Sequence, residues 1–399
     1  MSEVKTKKPY QPTPEQIAQA EARRIKKAAQ KEAQKEKERQ EQEERGQIFP
    51  REWLSIDQPE PESVTVKVMT WNEVDRTEKL FPVLEKAGYS HVYAAGPRKK
   101  HGCLIAFKKD LFTLLSHKLI SYDDLEVRKS GGPTDSRGSS FRTKNIGNLV
   151  ALQRTSKLQD GVIVATSHLF WHPSQAAIIL REVVNFRKEL GKEDWPCVIA
   201  GDFNFAPDDP AYSLLVGNGI LPEQSKRLAS SRVVHVTIDP SVPVTTNKMM
   251  GDDEEGGETD PDRIITNARA AVEADGLLTD NELADMFKSS GTVFSTYDRG
   301  LRLCENIEEF TCGARLGIPP SRLGGYDPVW TSYTHYWKTV LDYIFVLEPA
   351  GYPITVNGLA KPIPTTHLGP GLPQKGICGS DHISLCAELS WRETPDTSP

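Results

Sequence analysis

Four short polar segments follow apolar runs in this chain: Thr70-Trp-Asn-Glu-Val-Asp75, Ser167-His-Leu-Phe-Trp-His172, Gly201-Asp-Phe-Asn204 and Ser380-Asp-His382. A fifth, Leu341-Asp-Tyr-Ile344, sets a lone acid inside a run that otherwise suits burial, where an unpaired carboxylate is costly. The side-chain oxygens of Asn72, Glu73, Asp202, Asn204 and Asp342 favour a hard divalent cation, Mg²⁺ or Mn²⁺, over zinc. His168 and His382 then suit acid/base or phosphate-stabilising work. These are the parts that metal-assisted phosphodiester cleavage needs. Each alone has an ordinary reading: Gly-Asp-x-Asn as an Asx turn, Ser-Asp-His as a turn with a surface histidine. Their joint occurrence, in this order and each after an apolar run, points to one site at the ends of sheet strands.

The elements that must carry these residues are mostly strands. Val64–Trp71 alternates with β-rich side chains, and Gly102–Phe107, Leu149–Leu152, Gly161–Thr166, Pro196–Ala200, Val340–Val346 and Ile383–Leu389 are further strand candidates. Pro173–Leu190 has helical spacing, with Ala176, Leu180, Val183 or Val184, and Leu190 on one side. Many strands are apolar on both faces, which predicts stacked sheets covered by helices.

The order and wording of the segments resemble the endonuclease/exonuclease/phosphatase superfamily from about Phe49 to Trp391. The resemblance is to its deadenylase-like branch and the NGL-type RNA exonucleases, carried by Thr166-Ser-His-Leu-Phe-Trp-His-Pro173 and by Leu341-Asp-Tyr-Ile-Phe345 after Tyr333-Thr-His-Tyr-Trp337. It implies an α/β sandwich of two mixed β-sheets flanked by helices. It also implies hydrolysis of RNA from a free 3′ end, on poly(A) or a ribosomal RNA precursor, releasing 5′-mononucleotides. On that pattern His168 holds a phosphate oxygen, and Asp202 orients or deprotonates water, helped by Asn204. Asp342 supports the metal or its surrounding network, and His382, oriented by Asp381, contacts the scissile phosphate. Glu73 matches the principal Mg²⁺ ligand and Asn72 the asparagine of the first strand. Phe170, Trp171, Phe203 and Phe205 flank the site, where they can stack bases or simply fill the core.

The chain departs from the pattern at one place. Asn72 and Glu73 are neighbours, whereas the family separates them by a helix and most of a strand, so those two elements are expected to be missing. Adjacent residues of an extended strand point to opposite faces, so both cannot reach one metal without a sharp turn or bulge. Two other readings follow: a catalytically inactive remnant that binds RNA or protein, and a phosphatase acting on a small nucleotide or lipid head group.

The remaining composition bounds the setting. The 399 residues carry a formal charge of -6, so nucleic-acid binding requires a local basic patch. Residues 1–47 form a charged arm, helical or disordered, with Thr13 and Gln16 as a capping box, Pro14 at the first helical position and Gly46 ending the run. Residues 48–399 form the main domain, with an acidic insertion at about 232–290 that holds Asp252-Asp-Glu-Glu-Gly-Gly-Glu258. The arm and the insertion are candidate places for protein partners. Thr279 and Glu282 read as a second capping box, and the six cysteines, with no CxxC pair, as reduced and structural. No apolar run is long enough to span a bilayer, and an intracellular address, cytoplasm or nucleus, is expected by elimination.

Overall fold

A computed structural model describes residues 14–45, 51–72, 77–99, 101–128, 141–244, 266–374 and 378–393. The chain divides into two compact units, Met1–Pro50 with Gln374–Cys378, and Arg51–Pro373 with Gly379–Pro399. In the first, helix α1 runs from Pro14 to Arg45, and its described side chains, among them Ile25, are exposed. A stripe with so few apolar positions gives this helix little to bury.

The second unit is built on a six-stranded sheet. Its strands are β5 (Phe112–Ser121), β6 (Ile146–Arg154), β7 (Gly161–His168), β8 (Cys197–Asp202), β9 (Phe294–Ser295) and β10 (Asp342–Leu347), in the order β9-β10-β8-β7-β6-β5. Only β7 and β8 run parallel; every other neighbouring pair is antiparallel. Alternation along the strands sends Leu149, Ala151, Ile163, Ile199 and Phe345 to one face and Val150, Leu152, Val162, Val198 and Ile344 to the other. The first face packs on helix α3 (Pro173–Glu189), which buries Ala176, Leu180 and Val183 as its spacing predicts. The second face packs on a layer of strands. Both faces are covered, which is why these strands read as continuous apolar runs.

That second layer comes in two pieces. One is an antiparallel sheet of β1 (Trp53–Ser55), β11 (Thr355–Ala360), β12 (Leu385–Arg392) and β2 (Ser63–Thr70), in the order β1-β11-β12-β2. The other is the hairpin of β3 (Tyr89–Ala95) and β4 (Gly102–Lys108). Ile105 and Phe107 of the hairpin share one apolar core with Val64, Leu385 and Leu389 of the sheet. Buried Asn148 of β6 anchors the hairpin, donating from Nδ2 to the carbonyls of Val92 and Cys103 at 3.2 Å each. Among the described residues no ladder joins β2 to either hairpin strand, so β2 is an edge of its sheet. The intervening helix α2 (Thr77–Lys86) buries no residue, and Val83 on it is 61% exposed. The α/β sandwich of sheets flanked by helices is the expected architecture. The six-stranded sheet is mixed, and each neighbouring pair of the four-stranded sheet is antiparallel.

The Thr279–Glu282 capping box starts helix α6 (Asp280–Ser290), with the Glu282 amide donating to Thr279 Oγ1 at 3.2 Å. Helices α4 (Pro210–Val216), α5 (Pro222–Ser230) and α7 (Thr296–Leu301) complete the coverings used below. Thr13, Gly46, Glu73 and Asp252–Glu258 lie outside the described residues, and no described helix is long and apolar enough to cross a membrane. Cys103, Cys197 and Cys312 are buried.

Candidate active site

Three strands align their acidic and basic ends. In the register of the six-stranded sheet His168 faces Asp202 across the parallel β7–β8 pair, and Asp202 faces Asp342 across the antiparallel β8–β10 pair. All three sit at one end of the sheet, the carboxyl end of β7 and β8 and the amino end of β10. Gly201 makes the close approach there. Its φ is +152°, and a Cβ would lie 2.2 Å from the Ser167 carbonyl oxygen.

The second layer brings Asn72 and His382 to the same place. Asn72 lies beyond the end of β2, and its Nδ2 donates to Asp202 Oδ2 at 2.8 Å. His382 lies just before β12. Its Nδ1 is 2.7 Å from Asp342 Oδ2, and its Nε2 is 3.8 Å from Asp202 Oδ2. His168 Nε2 approaches the same Asp202 oxygen at 3.7 Å, with nearly half of its side chain exposed at the mouth. Asp202, Asp342 and His382 are almost fully buried, and one ligand atom from each lies within 4.8 Å of the others. The two carboxylates of this group can hold a metal ion. A buried carboxylate oxygen without a donor, Asp342 Oδ1, fits that use.

Charge in the cluster is shared. Burial works to lower the His382 pKa, but the Asp342 carboxylate, with Asp202 and Asp381 behind it, outweighs burial and lifts it to about 10. His382 is therefore cationic at neutral pH. Burial raises the Asp342 pKa, with His382 pulling the other way and Asp202 adding repulsion. The 2.7 Å pair is an imidazolium held by a carboxylate.

Asn204 adopts a left-handed φ of +54° and donates its amide to Asp202 Oδ1 at 2.9 Å, while its Nδ2 donates to the Leu169 carbonyl at 2.9 Å. The Asx turn and the site role thus coexist, since the turn is what fixes the Asp202 carboxylate. Asp381 was expected to orient His382. It is 3.9 Å from Nε2, and Asp342 is the carboxylate in hydrogen-bond contact with the ring. Phe203 and Phe205 are core residues, 2% and 1% exposed, whereas Phe170 and Trp171 are half-buried near the mouth.

Several positioning residues escaped the sequence reading. Buried Thr331 accepts from the amides of Leu341 and Asp342 at 2.8 and 2.9 Å, and its carbonyl receives the Ile383 amide at 2.7 Å. It thereby locks β10 to the segment carrying His382. Ser380 Oγ donates to the Asn72 carbonyl at 2.6 Å and receives the His382 amide at 3.0 Å. Trp71 Nε1 donates to the His382 carbonyl at 3.0 Å. Ser380 and Trp71 lay inside segments already singled out. Thr331 had no local signal, because its partners come from two separate elements.

Residues 68–382 match the Endonuclease/Exonuclease/phosphatase family. The chain is 26% identical over 327 residues to a Schizosaccharomyces pombe protein named as a probable RNA exonuclease, covering 76% of this chain and 62% of that protein. It is 23% identical over 355 residues to the Saccharomyces cerevisiae RNA exonuclease NGL2, covering 76% and 65%. It therefore spans less than two thirds of the length of these relatives. In fold it resembles the crystal structure of ANGEL2, a 2′,3′-cyclic phosphatase, with a TM-score of 0.51 at 16% identity, over 86% of this chain and 98% of that one.

Proposed function

The chain belongs to the endonuclease/exonuclease/phosphatase family, and on that premise we propose that it hydrolyses phosphodiester bonds at RNA 3′ ends with a divalent ion, Mg²⁺, as cofactor. The observation that carries this reading is the convergence of Asp202, Asp342 and His382 within 4.8 Å, with Asn72 and His168 against the same Asp202 oxygen. The names of the relatives supply the RNA.

In this reading Asp202 and Asp342, completed by Asn72 and Glu73, hold the ion. When bound it neutralises phosphate charge and eases deprotonation of water. Asp202, fixed at both oxygens by Asn72 and by the Asn204 amide, accepts the proton of the attacking water. His382, cationic and braced by Asp342, places positive charge beside a non-bridging oxygen of the scissile phosphate. His168 at the mouth is a second donor to that phosphate, and Asn204 keeps the loop beneath it in place. Asp381 adds negative charge at the edge. Residues 48–399 act as the catalytic domain, with 1–47 and the acidic segment at 232–290 as appendages open to protein partners. Poly(A) and ribosomal RNA precursors are the substrates to try first.

The test is incubation of internally labelled RNA with the full chain and Mg²⁺, alongside Asp202→Ala and His382→Ala. Release of 5′-mononucleotides by the wild type and not by the variants is the expected result. A second reading, binding without turnover, draws on the gap between β2 and the β3–β4 hairpin, which adjoins Asn72. RNA retention with no mononucleotide release favours it. Liberation of inorganic phosphate from a nucleotide would point instead to a phosphatase.

A further inference from the structure

The carboxylate cluster accounts for chemistry on one phosphate, but a second surface beside it has no part in that chemistry. The loop before β4 and the loop before β6 lie against each other. A Cβ at Gly96 would sit 2.2 Å from the Lys144 carbonyl oxygen, so only glycine permits the approach, and Lys99 Nζ donates to Asn145 Oδ1. Buried Gln175, at the start of α3, ties these loops to the segment after His168. Its Nε2 donates to Thr143 Oγ1 at 2.8 Å, and its Oε1 receives the Phe170 amide at 2.8 Å. The surface thus has a built support rather than chance proximity.

The braced loops present three exposed cations, Arg98, Arg142 and Lys144, none of which forms an ion pair among the described residues. The acid beneath them, Asp123, is turned inward to the amides of Thr143 and Lys144 at 3.1 and 2.8 Å. Next to Arg142, Phe141 stacks on Phe170 with centroids 5.3 Å apart and planes 12° apart. Phe170 is two residues from His168, whose ring is 6.3 Å from that of His101 in the Gly96–His101 loop. In a chain of net charge -6, a run of unpaired cations and half-buried aromatics leading to the catalytic mouth is a local feature.

We infer that Arg98, Arg142 and Lys144 with Phe141 and Phe170 form a track for single-stranded RNA, holding the nucleotides upstream of the bond that is cut. The inference rests on the proposed function and deepens it. A mono- or dinucleotide reaches only the carboxylate cluster, whereas a longer strand gains phosphate contacts on the cations and base stacking on the aromatics. Stacking requires unpaired bases, so the track discriminates against a duplex.

The test is fluorescence anisotropy in EDTA, so that binding is read without turnover. The probes are a 5′-labelled 20-nucleotide single-stranded RNA, its duplex, and a labelled dinucleotide, each with the full chain over a range of salt. The triple variant Arg98→Glu/Arg142→Glu/Lys144→Glu is expected to bind the 20-mer roughly 10- to 100-fold more weakly. Its slope of log affinity against log salt should shrink by about 2, near 0.7 for each lost phosphate contact. Arg98→Lys/Arg142→Lys keeps the charge and is expected to retain binding. Phe141→Ala is expected to weaken the 20-mer roughly tenfold with an unchanged salt slope. Dinucleotide binding stays the same throughout. A triple variant that binds the 20-mer like the wild type, an equal loss on the dinucleotide, duplex binding as tight as single-strand binding, or no binding by the wild type overturns the track. Wild-type binding in the expected pattern with no hydrolysis in Mg²⁺ leaves the track standing and removes the catalytic reading instead.

Discussion

Among the described residues of the second unit, two buried pairs of carboxylates are finished in different ways. Asp298 and Asp327 are 3% and 0% exposed, and every oxygen of the pair has a donor. Asp327 receives Ser295 Oγ and, at 2.6 Å, the Tyr212 hydroxyl. Asp298 receives the amides of Gly324 and Tyr326 at 2.9 Å each and the Arg302 guanidinium at 3.0 and 3.1 Å. Asp202 and Asp342 are as deeply buried, yet Asp342 Oδ1 has no donor, and the cation beside them is the His382 imidazolium, 2.7 Å from Asp342 Oδ2. A structural acid is enclosed by donors from its own chain. A working acid keeps capacity in reserve for an ion or a reacting group.

The contrast is sharpest in turnover. Asp202→Ala removes the oxygen on which Asn72, His168 and His382 converge, so kcat for Mg²⁺-dependent RNA hydrolysis is expected to fall about 10³-fold or more. The melting temperature of this variant, read by circular dichroism, should change little by comparison. His382→Ala is expected to lower kcat about 10²-fold by removing the positive charge beside the phosphate. If either variant turned over RNA at the wild-type rate, the division between working and structural acids would fail.

Changes at the other pair should act on stability and leave chemistry alone. Tyr212→Phe strips one donor from Asp327 and is expected to cost about 1–3 kcal/mol in urea unfolding, with kcat unaffected. The pH response is smaller. Burial, then the charge of Asp298, lift the Asp327 pKa from 3.8 to about 8, with Ser295 and Tyr212 opposing. Between those values the folded chain holds a proton that the unfolded chain has released, so this contribution is full below about pH 4 and fades as pH rises through about 8. Stability is therefore expected to fall as pH rises from 6 to 8.5 on this account. Asp327→Asn should flatten that slope in thermal melts collected across the same range. An unaltered slope would mean that Asp327 is ionised in the fold.

The broken layer follows the same logic of completion. β10 and β8 are paired on both sides, and their residues are buried throughout. Among the described residues β3 has only β4 for a partner, and its residues are half-buried or exposed. Among the described residues β2 has a strand neighbour on one side only, and Met69 on it is 59% exposed.

What the sequence determined by itself was local. Unbroken apolar runs announced β6, β7, β8, β10 and β12, helical spacing announced α3, and polar residues at the ends of those runs announced Asn72, His168, Asp202, Asn204, Asp342 and His382. Periodicity and chain order suffice for these, because each is a property of a few consecutive residues. The longer strands that escaped, β3, β5 and β11, are half-exposed or, in β11, interrupted by a bulge between Val356 and Gly358, so their alternation is blurred, while β1 and β9 are too short to show any. Only the tertiary structure decided that Asp342 rather than Asp381 holds His382, that Thr331 joins β10 to the His382 segment, and that Asp327 meets Tyr212 across 115 residues of chain. Those contacts depend on which strands become neighbours and in what register, and no short stretch of sequence encodes that.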